Sequence, residues 1–221
     1  MFEVFDIQDA SFLKDYEHRF MSENNRVHTE SSGMDVPLIT NMPQFNISDQ
    51  QFINQVLSHY NHIYPDWVRF TGFSYVFRFE PDKPTMFPHI DIDHDTCRML
   101  EGKAKRVLIY VNPAWNKEWG GGTYFAPYEQ YRVDPRFMAR VTRAKFAKEA
   151  SLVDNVPGRA VLFDLDEIHM PQDFSGNNVQ RLIFAAMILH PDVAHLADQF
   201  IGPTKSNGTA VTRLSGTQVS N

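Results

Sequence analysis

The chain has 221 residues, of which 43% are hydrophobic and 13% aromatic, and this length suits one domain with a sizeable core. Its formal net charge of −6 argues against a nucleic-acid partner and against an anionic membrane surface. A single cysteine, Cys97, excludes an internal disulfide framework. The sequence has neither a secretory pattern nor an apolar run of the roughly 20 residues that cross a bilayer, and this predicts a cytoplasmic location.

The first third of the chain predicts a helical support for a sheet, over about residues 1–66. Ser48 is a good N-cap for a helix that ends near Tyr60, and residues 9–20 have a similar pattern. The apolar stripe of the helix that begins at Ser48 contains Phe52, Ile53, Val56 and Leu57. Helices of this kind usually buttress a sheet, so we expect no catalytic residue in this part.

Short strands separated by turn residues follow, over about residues 67–190, and the 18 Phe of the chain suit a sheet-rich core. The predicted strands are residues 68–79, 106–111, 123–125, 159–165 and 181–189. The first of them fits either one long strand or a hairpin. The pattern predicts a mainly β chain with flanking helices (α+β), built on an antiparallel jelly-roll or barrel core.

Two further segments differ from this strand pattern. Residues 128–150 are basic and compatible with a helix from Pro135 onward, and we interpret them as an insertion that forms a substrate lid or a partner surface. Residues 201–221 are rich in Gly, Ser and Thr and predict a flexible tail. The remaining chain, residues 1–200, is predicted to be a single domain.

The densest group of metal-ligand residue types extends from His89 to Asp95. Residues two apart share a face of an extended chain, so His89 and Asp91 point the same way and Ile90 points to the opposite side. His169, which follows a predicted strand, is the candidate for a third ligand. Two histidines and one carboxylate on one face of Fe(II) leave open coordination positions. Taken alone, the His-x-Asp pattern is equally typical of a solvated acidic edge.

Arg181 stands at the head of the apolar strand predicted for residues 181–189. If its side chain points inward, the buried guanidinium needs an anionic partner. The planar fork of an arginine matches a carboxylate through two parallel hydrogen bonds. A surface arginine just outside the strand is the alternative interpretation.

Six motifs in this order resemble the prolyl 4-hydroxylase-like branch of the Fe(II)/2-oxoglutarate-dependent dioxygenases. They are His89-Ile90-Asp91, Val107-Leu108-Ile109-Tyr110-Val111-Asn112 with Trp115, Gly121-Gly122-Thr123, Pro157-Gly158-Arg159-Ala160-Val161-Leu162-Phe163, His169 and Arg181. Each motif is weak by itself, but together they span about half of the chain in the order of the family. The resemblance implies a double-stranded β-helix core of the jelly-roll or cupin-like type.

The resemblance also implies roles for individual residues. His89, Asp91 and His169 would hold the catalytic iron, and Arg181 would anchor the distal carboxylate of 2-oxoglutarate. Tyr110 is the candidate for a second contact with that carboxylate, unless a shift of one residue turns its side chain into the core. Candidates to face the substrate are Arg78, Tyr75, Trp115 and Tyr124, and core packing is an equal alternative for Trp115 and Tyr124.

The activity implied by this resemblance consumes O₂ and 2-oxoglutarate and releases succinate and CO₂. The expected product is a hydroxylated C–H bond of a prolyl or amino-acid side chain or of a small metabolite, and ascorbate is a candidate reductant. Asp91 favours hydroxylation, because related halogenases carry a small residue at the corresponding position. The sequence does not distinguish a small-molecule substrate from a peptidyl one, and it is silent on oligomeric state.

Alternative interpretations come from the same segment. The pattern His89-x-Asp91-x-Asp93-His94 resembles, with one ligand changed, the metal motif of two-metal hydrolases that have an αββα layout. Asp93 or His94 could also replace one of the three proposed iron ligands. A β-helix binding module without turnover is a further alternative. A nucleic-acid demethylase of the same superfamily is disfavoured by the acidic balance of the chain.

Overall fold

The computed structural model describes residues 1–7, 11, 13–15, 17, 44–46, 64–79, 86–92, 94–133, 139–176, 179–196 and 211–213. The strands in this part of the chain are β1 (Phe2–Asp6), β2 (Gln44–Asn46), β3 (Val68–Phe79), β4 (Ala104–Tyr110), β5 (Thr123–Ala126), β6 (Ser151–Val153), β7 (Arg159–Asp164), β8 (Ile168–Pro171), β9 (Arg181–Leu189) and β10 (Val211–Arg213). The α-helices with described bounds are α1 (His94–Met99), α2 (Arg143–Glu149) and α3 (Pro191–Ala194). None of the helices among these residues is long and apolar enough to span a bilayer.

The strands form two antiparallel sheets. The main sheet has the order β1-β7-β4-β9-β3-β10, and β2 also pairs with β3. The minor sheet has the order β6-β5-β8. Neighbours in both sheets are distant in sequence, which is typical of a jelly-roll core. The predicted mainly β fold is therefore confirmed, and the described residues contain few helices.

The predicted strands agree with the observed ones to within a few residues. β3 and β9 have the predicted bounds, and β3 is one strand with a shift of register between Phe70 and Tyr75 rather than a hairpin. β4 and β7 each end one residue earlier than predicted. β9 is buried along its whole length, which explains why its sequence is apolar almost throughout.

The first residues of the chain form a strand, whereas the sequence predicted a helical support over about residues 1–66. Phe2–Asp6 is an edge strand that pairs with β7, more than 150 residues away, and a pairing this distant leaves no local signal in the sequence. Residues 13–15 and 17 are helical, in line with the helix predicted for residues 9–20, and the helix predicted from Ser48 lies outside the described residues. In the predicted tail, Val211–Arg213 pairs with β3, and the other residues after 196 are not described.

Described residues of the N-terminal part pack on the outer face of the main sheet. Val107 and Ile109 of β4 are buried there together with Leu13 and Trp67. Side chains alternate between the two faces of a strand, so the intervening residues of β4 face the minor sheet. Leu108 lies on that inner side and belongs to the hydrophobic core between the sheets.

The insertion between β5 and β6 contains α2. Thr142 caps this helix through its hydroxyl oxygen, which accepts a hydrogen bond from the backbone N–H of Lys145 at 3.3 Å. Phe146 is the buried residue of the helix and packs in a cluster with Met170 of β8. This buried side chain fixes α2 to the outer face of the minor sheet, which is the face opposite to the core between the sheets.

Candidate active site

His89 and His169 lie on neighbouring segments joined by two backbone hydrogen bonds. The backbone N–H of His89 donates to the carbonyl oxygen of His169 at 3.0 Å, and the N–H of His169 donates to that of His89 at 2.9 Å. His169 lies within β8, whereas the sequence placed it after a strand. Ile90 and Ile92 are buried in a cluster outside the site, and Asp91 between them faces the two imidazoles.

The three side chains bring one ligand atom each to a common point. Nε2 of His89 and Nε2 of His169 are both 3.7 Å from Oδ1 of Asp91, and the ligand atoms of all three residues lie within 4.8 Å of one another. The opposite ring atoms are engaged with the backbone, because Nδ1 of His89 is 2.7 Å from the Phe87 carbonyl oxygen and Nδ1 of His169 is 3.2 Å from that of Glu167. Both rings are thus oriented with Nε2 towards the centre.

The protonation states of these residues suit a metal. Burial lowers the pKa of both histidines, that of His169 to about 4, so both imidazoles are neutral at physiological pH. Burial raises the pKa of Asp91, but the charge and hydrogen bond of Arg106 together with the two neighbouring imidazoles outweigh this effect and hold that pKa well below its usual range. Two neutral imidazoles and one carboxylate are the donor set of the facial triad in non-haem Fe(II) enzymes. Adjacent ligands of an octahedral ion lie about 3 Å apart, so small side-chain rotations bring these three atoms to one ion.

Arg106 orients Asp91 and was not recognised in the sequence. Its Nε donates a hydrogen bond to Oδ2 of Asp91 at 2.6 Å, and both side chains are largely buried. Arg106 shares the inner face of β4 with Leu108, so its guanidinium enters the site from the main sheet. The only sequence signal was an arginine at the head of a buried strand, and strand pairing alone reveals that it meets Asp91.

Aromatic residues from both sheets pack against the ring of His169. The ring of His169 is stacked on that of Phe125, with 6.1 Å between centroids, and it is 5.0 Å from the ring of Phe163. Phe125 pairs directly with His169 across β5 and β8, so the two side chains share the inner face of the minor sheet. These apolar walls limit the access of water to one side of the cluster.

Arg181 is fully buried on the inner face of the main sheet, next to Tyr110. Its Nη2 donates to the carbonyl oxygen of Gly122 at 3.1 Å and to Oγ1 of Thr123 at 3.3 Å, and its guanidinium carbon is 5.9 Å from the centroid of the Tyr110 ring. The hydroxyl of Tyr110 is 3.0 Å from Oγ1 of Thr123 and 3.2 Å from the carbonyl oxygen of Val153. Burial lowers the pKa of Arg181 to about 10, which still leaves the guanidinium charged at neutral pH.

The two ends of the site share one wall. Arg106 and Tyr110 are four residues apart on the same face of β4, which corresponds to roughly 13 Å along the strand. Leu108 lies between them on β4, and the small Ala185 of β9 is its direct neighbour. The candidate triad and the guanidinium of Arg181 thus lie towards opposite ends of one inner surface.

Trp115 is placed beside the Arg181 end of the site. Its indole N–H donates to the carbonyl oxygen of Gly120 at 3.0 Å, and its ring packs edge-on against Phe174. Gly121 has a φ of +77°, and a Cβ at this position would lie 2.8 Å from the Trp115 ring and 3.3 Å from Cδ of Arg181. The glycine turn therefore lets Trp115 and Arg181 approach each other closely.

Of the other predicted substrate residues, Tyr124 has a described side chain, and this side chain does not face the cluster. Tyr124 pairs with Met170 and faces away from Phe125 and the triad, with its hydroxyl 3.5 Å from Nε2 of Gln172. This position follows from strand alternation, which turns neighbouring side chains of β5 to opposite faces. The residues whose side chains lie outside the described part are Arg78, Tyr75, Asp93 and His94.

No family model and no curated protein matches the sequence. Solved structures match over most of the chain. The non-haem α-ketoglutarate-dependent epimerase SnoN from nogalamycin biosynthesis has 14% identity and a TM-score of 0.59, over 100% of this chain and 93% of that one. A prolyl hydroxylase from Trichoplax adhaerens, in complex with a hypoxia-inducible factor peptide fragment, has 15% identity and a TM-score of 0.56, over 86% and 84%. A prolyl-4-hydroxylase from Pseudomonas putida has 12% identity and a TM-score of 0.53, over 86% and 92%.

The fold is the double-stranded β-helix of the 2-oxoglutarate oxygenases. The resemblance to their prolyl hydroxylase-like branch is thereby confirmed at the level of the fold. The described residues do not form the αββα layers that the two-metal hydrolase interpretation requires. At identities of this size the fold alone is shared, so the chemistry of the chain has to be argued from its own side chains.

Proposed function

We propose that the protein is an Fe(II)- and 2-oxoglutarate-dependent dioxygenase that hydroxylates a C–H bond of a prolyl or amino-acid side chain or of a small metabolite. The observation that carries this proposal is the convergence of Nε2 of His89, Nε2 of His169 and Oδ1 of Asp91 inside an oxygenase fold. Iron held by these residues would supply the activation of O₂, with 2-oxoglutarate as the co-substrate that is oxidised to succinate and CO₂.

The residues of the chain would position both the iron and its co-substrate. The backbone carbonyls of Phe87 and Glu167 fix the two imidazoles, and Arg106 presents one oxygen of Asp91. Arg181, on the same inner surface, is our candidate to bind the distal carboxylate of 2-oxoglutarate. Tyr110 and Thr123 border the guanidinium and would contribute hydroxyl groups to the same carboxylate.

The exclusion of water is the second task of the site. Phe125 and Phe163 cover the ring of His169, and Leu108 covers the surface between the triad and Arg181. An apolar enclosure of this kind protects a reactive centre from solvent and strengthens the charge pairing at Arg181. Ascorbate is the reductant that we would add to keep the iron ferrous.

Hydroxylation is the proposed outcome because several of the similar structures are prolyl hydroxylases and because position 91 is a carboxylate. The similar structures also include an epimerase and a carbocyclase, so the reaction outcome has to be read from the product. Mass spectrometry of products formed under ¹⁸O₂ separates these cases, since only hydroxylation adds labelled oxygen to the substrate.

The proposal is tested by anaerobic reconstitution of the full chain with Fe(II) and 2-oxoglutarate. We expect the weak visible charge-transfer band of the chelate in the wild type and its loss in Asp91→Ala and in His169→Ala. The exposed His195→Ala serves as the matched control and should keep the band. A wild-type protein that binds Fe(II) and 2-oxoglutarate without this band, or an Asp91→Ala variant that retains it, would contradict the proposal.

A further inference from the structure

The insertion between β5 and β6 is attached directly to the segment that precedes His89. The backbone N–H of Ala139 donates to the carbonyl oxygen of Pro88 at 2.8 Å. Arg143 reaches further along the same segment, because its Nη1 donates to the carbonyl oxygen of Met86. The 139–143 part of the insertion therefore runs beside residues 86–88 and borders the candidate active site.

Arg143 also ties the insertion to the strand that carries His169. Its Nη2 forms an ion pair with Asp173 at 2.6 Å and lies 3.5 Å from the carbonyl oxygen of Pro171, the last residue of β8. One side chain thus connects the insertion to both chain segments that provide histidines. These contacts hold the 139–143 part of the insertion at the edge of the site.

Two arginines face each other at the base of this insertion. Val133 and Ala139 form an antiparallel bridge, and the backbone N–H of Arg140 donates to the carbonyl oxygen of Arg132 at 2.7 Å. Arg132 and Arg140 are therefore opposite one another across the pairing, and both side chains are exposed. Like charges directly opposite each other destabilise a β pairing, so a bound anion would offset an unfavourable interaction in the free protein.

Among the described residues, neither Arg132 nor Arg140 has an ion pair. Two acidic residues of the region are engaged elsewhere, since Asp173 pairs with Arg143 and Glu149 accepts a hydrogen bond from the Tyr131 hydroxyl at 2.7 Å. The two guanidiniums contrast with the net charge of −6 for the whole chain. Within the described part of the chain, no ion pair neutralises this local positive charge.

Phe87 adds an apolar contact to the same edge. Its side chain is 41% exposed, and it lies between Met86 and Pro88, the two residues that hold the insertion. Its carbonyl oxygen contacts Nδ1 of His89, so the exposed ring is two residues from a candidate metal ligand. The bond from Ala139 to Pro88 places the segments of Arg140 and Phe87 side by side. We name the three exposed residues Phe87, Arg132 and Arg140 the entrance surface.

We propose that the entrance surface binds an acidic peptide segment that flanks the residue to be oxidised, an inference that rests on the proposed function. Guanidinium groups bind carboxylates through paired, charge-assisted hydrogen bonds, and Phe87 would contact the aliphatic part of the same segment. Small metabolites bury most of their surface in a cleft, whereas these three side chains are exposed on an edge, which suits an extended chain. The acidic balance of the protein disfavours a nucleic acid here.

The test is the binding of a fluorescein-labelled polyglutamate peptide to the full chain, measured by fluorescence anisotropy in the absence of iron and 2-oxoglutarate. A polyglutamine peptide of the same length is the uncharged reference. We expect the polyglutamate peptide to bind more tightly to the wild type, and Arg132→Ala/Arg140→Ala to weaken this binding by about tenfold or more. The matched control Lys145→Ala/Lys148→Ala removes the same charge from α2 and should change the affinity by less than about twofold.

The proposal is overturned if polyglutamate binds no better than polyglutamine, or if the lysine control weakens binding as much as the arginine variant. Equal or tighter binding of a single-stranded oligonucleotide of the same charge would also overturn it, because the surface would then select any polyanion. Circular dichroism checks that both double variants are folded, as their exposed positions lead us to expect. Since the measurement needs no iron, its failure is distinct from the absence of the Fe(II)–2-oxoglutarate band.

Discussion

Arg106 and Asp91 form a buried pair in which Nε of the arginine donates to Oδ2 of the carboxylate at 2.6 Å. This bond engages one oxygen and leaves Oδ1 facing the two imidazoles, 3.7 Å from Nε2 of each. Arg106 therefore determines which oxygen of Asp91 faces a metal. Its positive charge also reduces the net negative charge around the carboxylate. A carboxylate held in this way is prepared for monodentate ligation.

The loss of this pair is expected to weaken metal binding. In Arg106→Met the carboxylate of Asp91 is no longer held in one orientation, so we expect the affinity for Mn(II), measured anaerobically by calorimetry, to fall by about 10- to 100-fold. Lys105→Met is the matched control, because Lys105 is the neighbouring residue of β4 and pairs with Asp164 at 2.5 Å instead. An Arg106→Met protein that is folded and binds Mn(II) like the wild type would show that the arginine has a structural role only.

The contact between Arg106 and Asp91 also shows where inference from the sequence ends. Both residues belong to motifs that the sequence made visible, a His-x-Asp pattern and a buried strand. Their meeting depends on the pairing of β4 with β7 and β9 and on the bridge between His89 and His169. Such non-local pairings leave no periodic signal, so individual candidate ligands could be predicted while their supporting contacts could not.

The anchor proposed for 2-oxoglutarate is tested by Arg181→Leu. A buried carboxylate that loses its charged partner is expected to raise the Kd for 2-oxoglutarate by about 30-fold or more, the equivalent of about 2 kcal/mol. Arg159→Leu is the matched control, because Arg159 also lies on a strand of the main sheet but pairs with Asp6 at 2.9 Å. Calorimetry in the presence of Mn(II) measures the Kd for 2-oxoglutarate of both variants.

Because Arg181 is fully buried, its replacement can also unfold the protein, and Thr123→Val provides a milder variant. Valine keeps the shape of threonine but removes the hydroxyl that contacts both Arg181 and Tyr110. We expect a rise of about 3- to 10-fold in the Kd for 2-oxoglutarate, in line with the loss of about one hydrogen bond. The Kd for 2-oxoglutarate should stay unchanged in the control Arg159→Leu. If it is also unchanged in Thr123→Val and in a folded Arg181→Leu, 2-oxoglutarate binds elsewhere.

The glycine turn beside Arg181 leads to a separate prediction about stability. Gly121→Ala places a Cβ 2.8 Å from the Trp115 ring at a φ of +77°, so it adds a clash to a strained backbone. We expect a loss of about 2–4 kcal/mol in the free energy of unfolding, from about 1 kcal/mol of backbone strain and about 1–3 kcal/mol of overpacking. Urea denaturation followed by tryptophan fluorescence measures this loss.

Gly102→Ala is the matched control for that substitution. Gly102 also has a positive φ, of +67°, but a Cβ there would have no atom within 4 Å. Its substitution therefore isolates the backbone strain, and a loss of about 1 kcal/mol is expected. Equal losses in the two variants would show that Trp115 moves freely and that the close packing at Gly121 contributes little.

The element predictions succeeded and failed for identifiable physical reasons. β9 was predicted with its correct bounds because both of its faces are buried, so its residues form a continuous apolar run. β1 was missed because an edge strand of five residues depends on its pairing with β7 rather than on a pattern of its own. For Tyr124 the sequence left the substrate side and core packing as equal alternatives, because no signal distinguishes the two faces of so short a strand as β5.

The burial of His169 leads to a pH-dependent stability of the metal-free protein. The pKa of this imidazole falls from its ordinary value of 6.5 to about 4 in the folded state, because burial disfavours the charged form. Between these values the unfolded chain binds more protons than the folded one, so stability is fully present above about pH 6.5 and decreases as the pH falls towards 4. A shift of this size corresponds to about 3 kcal/mol. We expect this loss in urea titrations at successive pH values, and a smaller loss over the same range in His169→Gln, whose side chain does not ionise.

The exposed His195→Gln is the control, and its free energy of unfolding should depend on pH as in the wild type. If His169→Gln showed that same pH dependence, the burial of a neutral imidazole at position 169 would be contradicted.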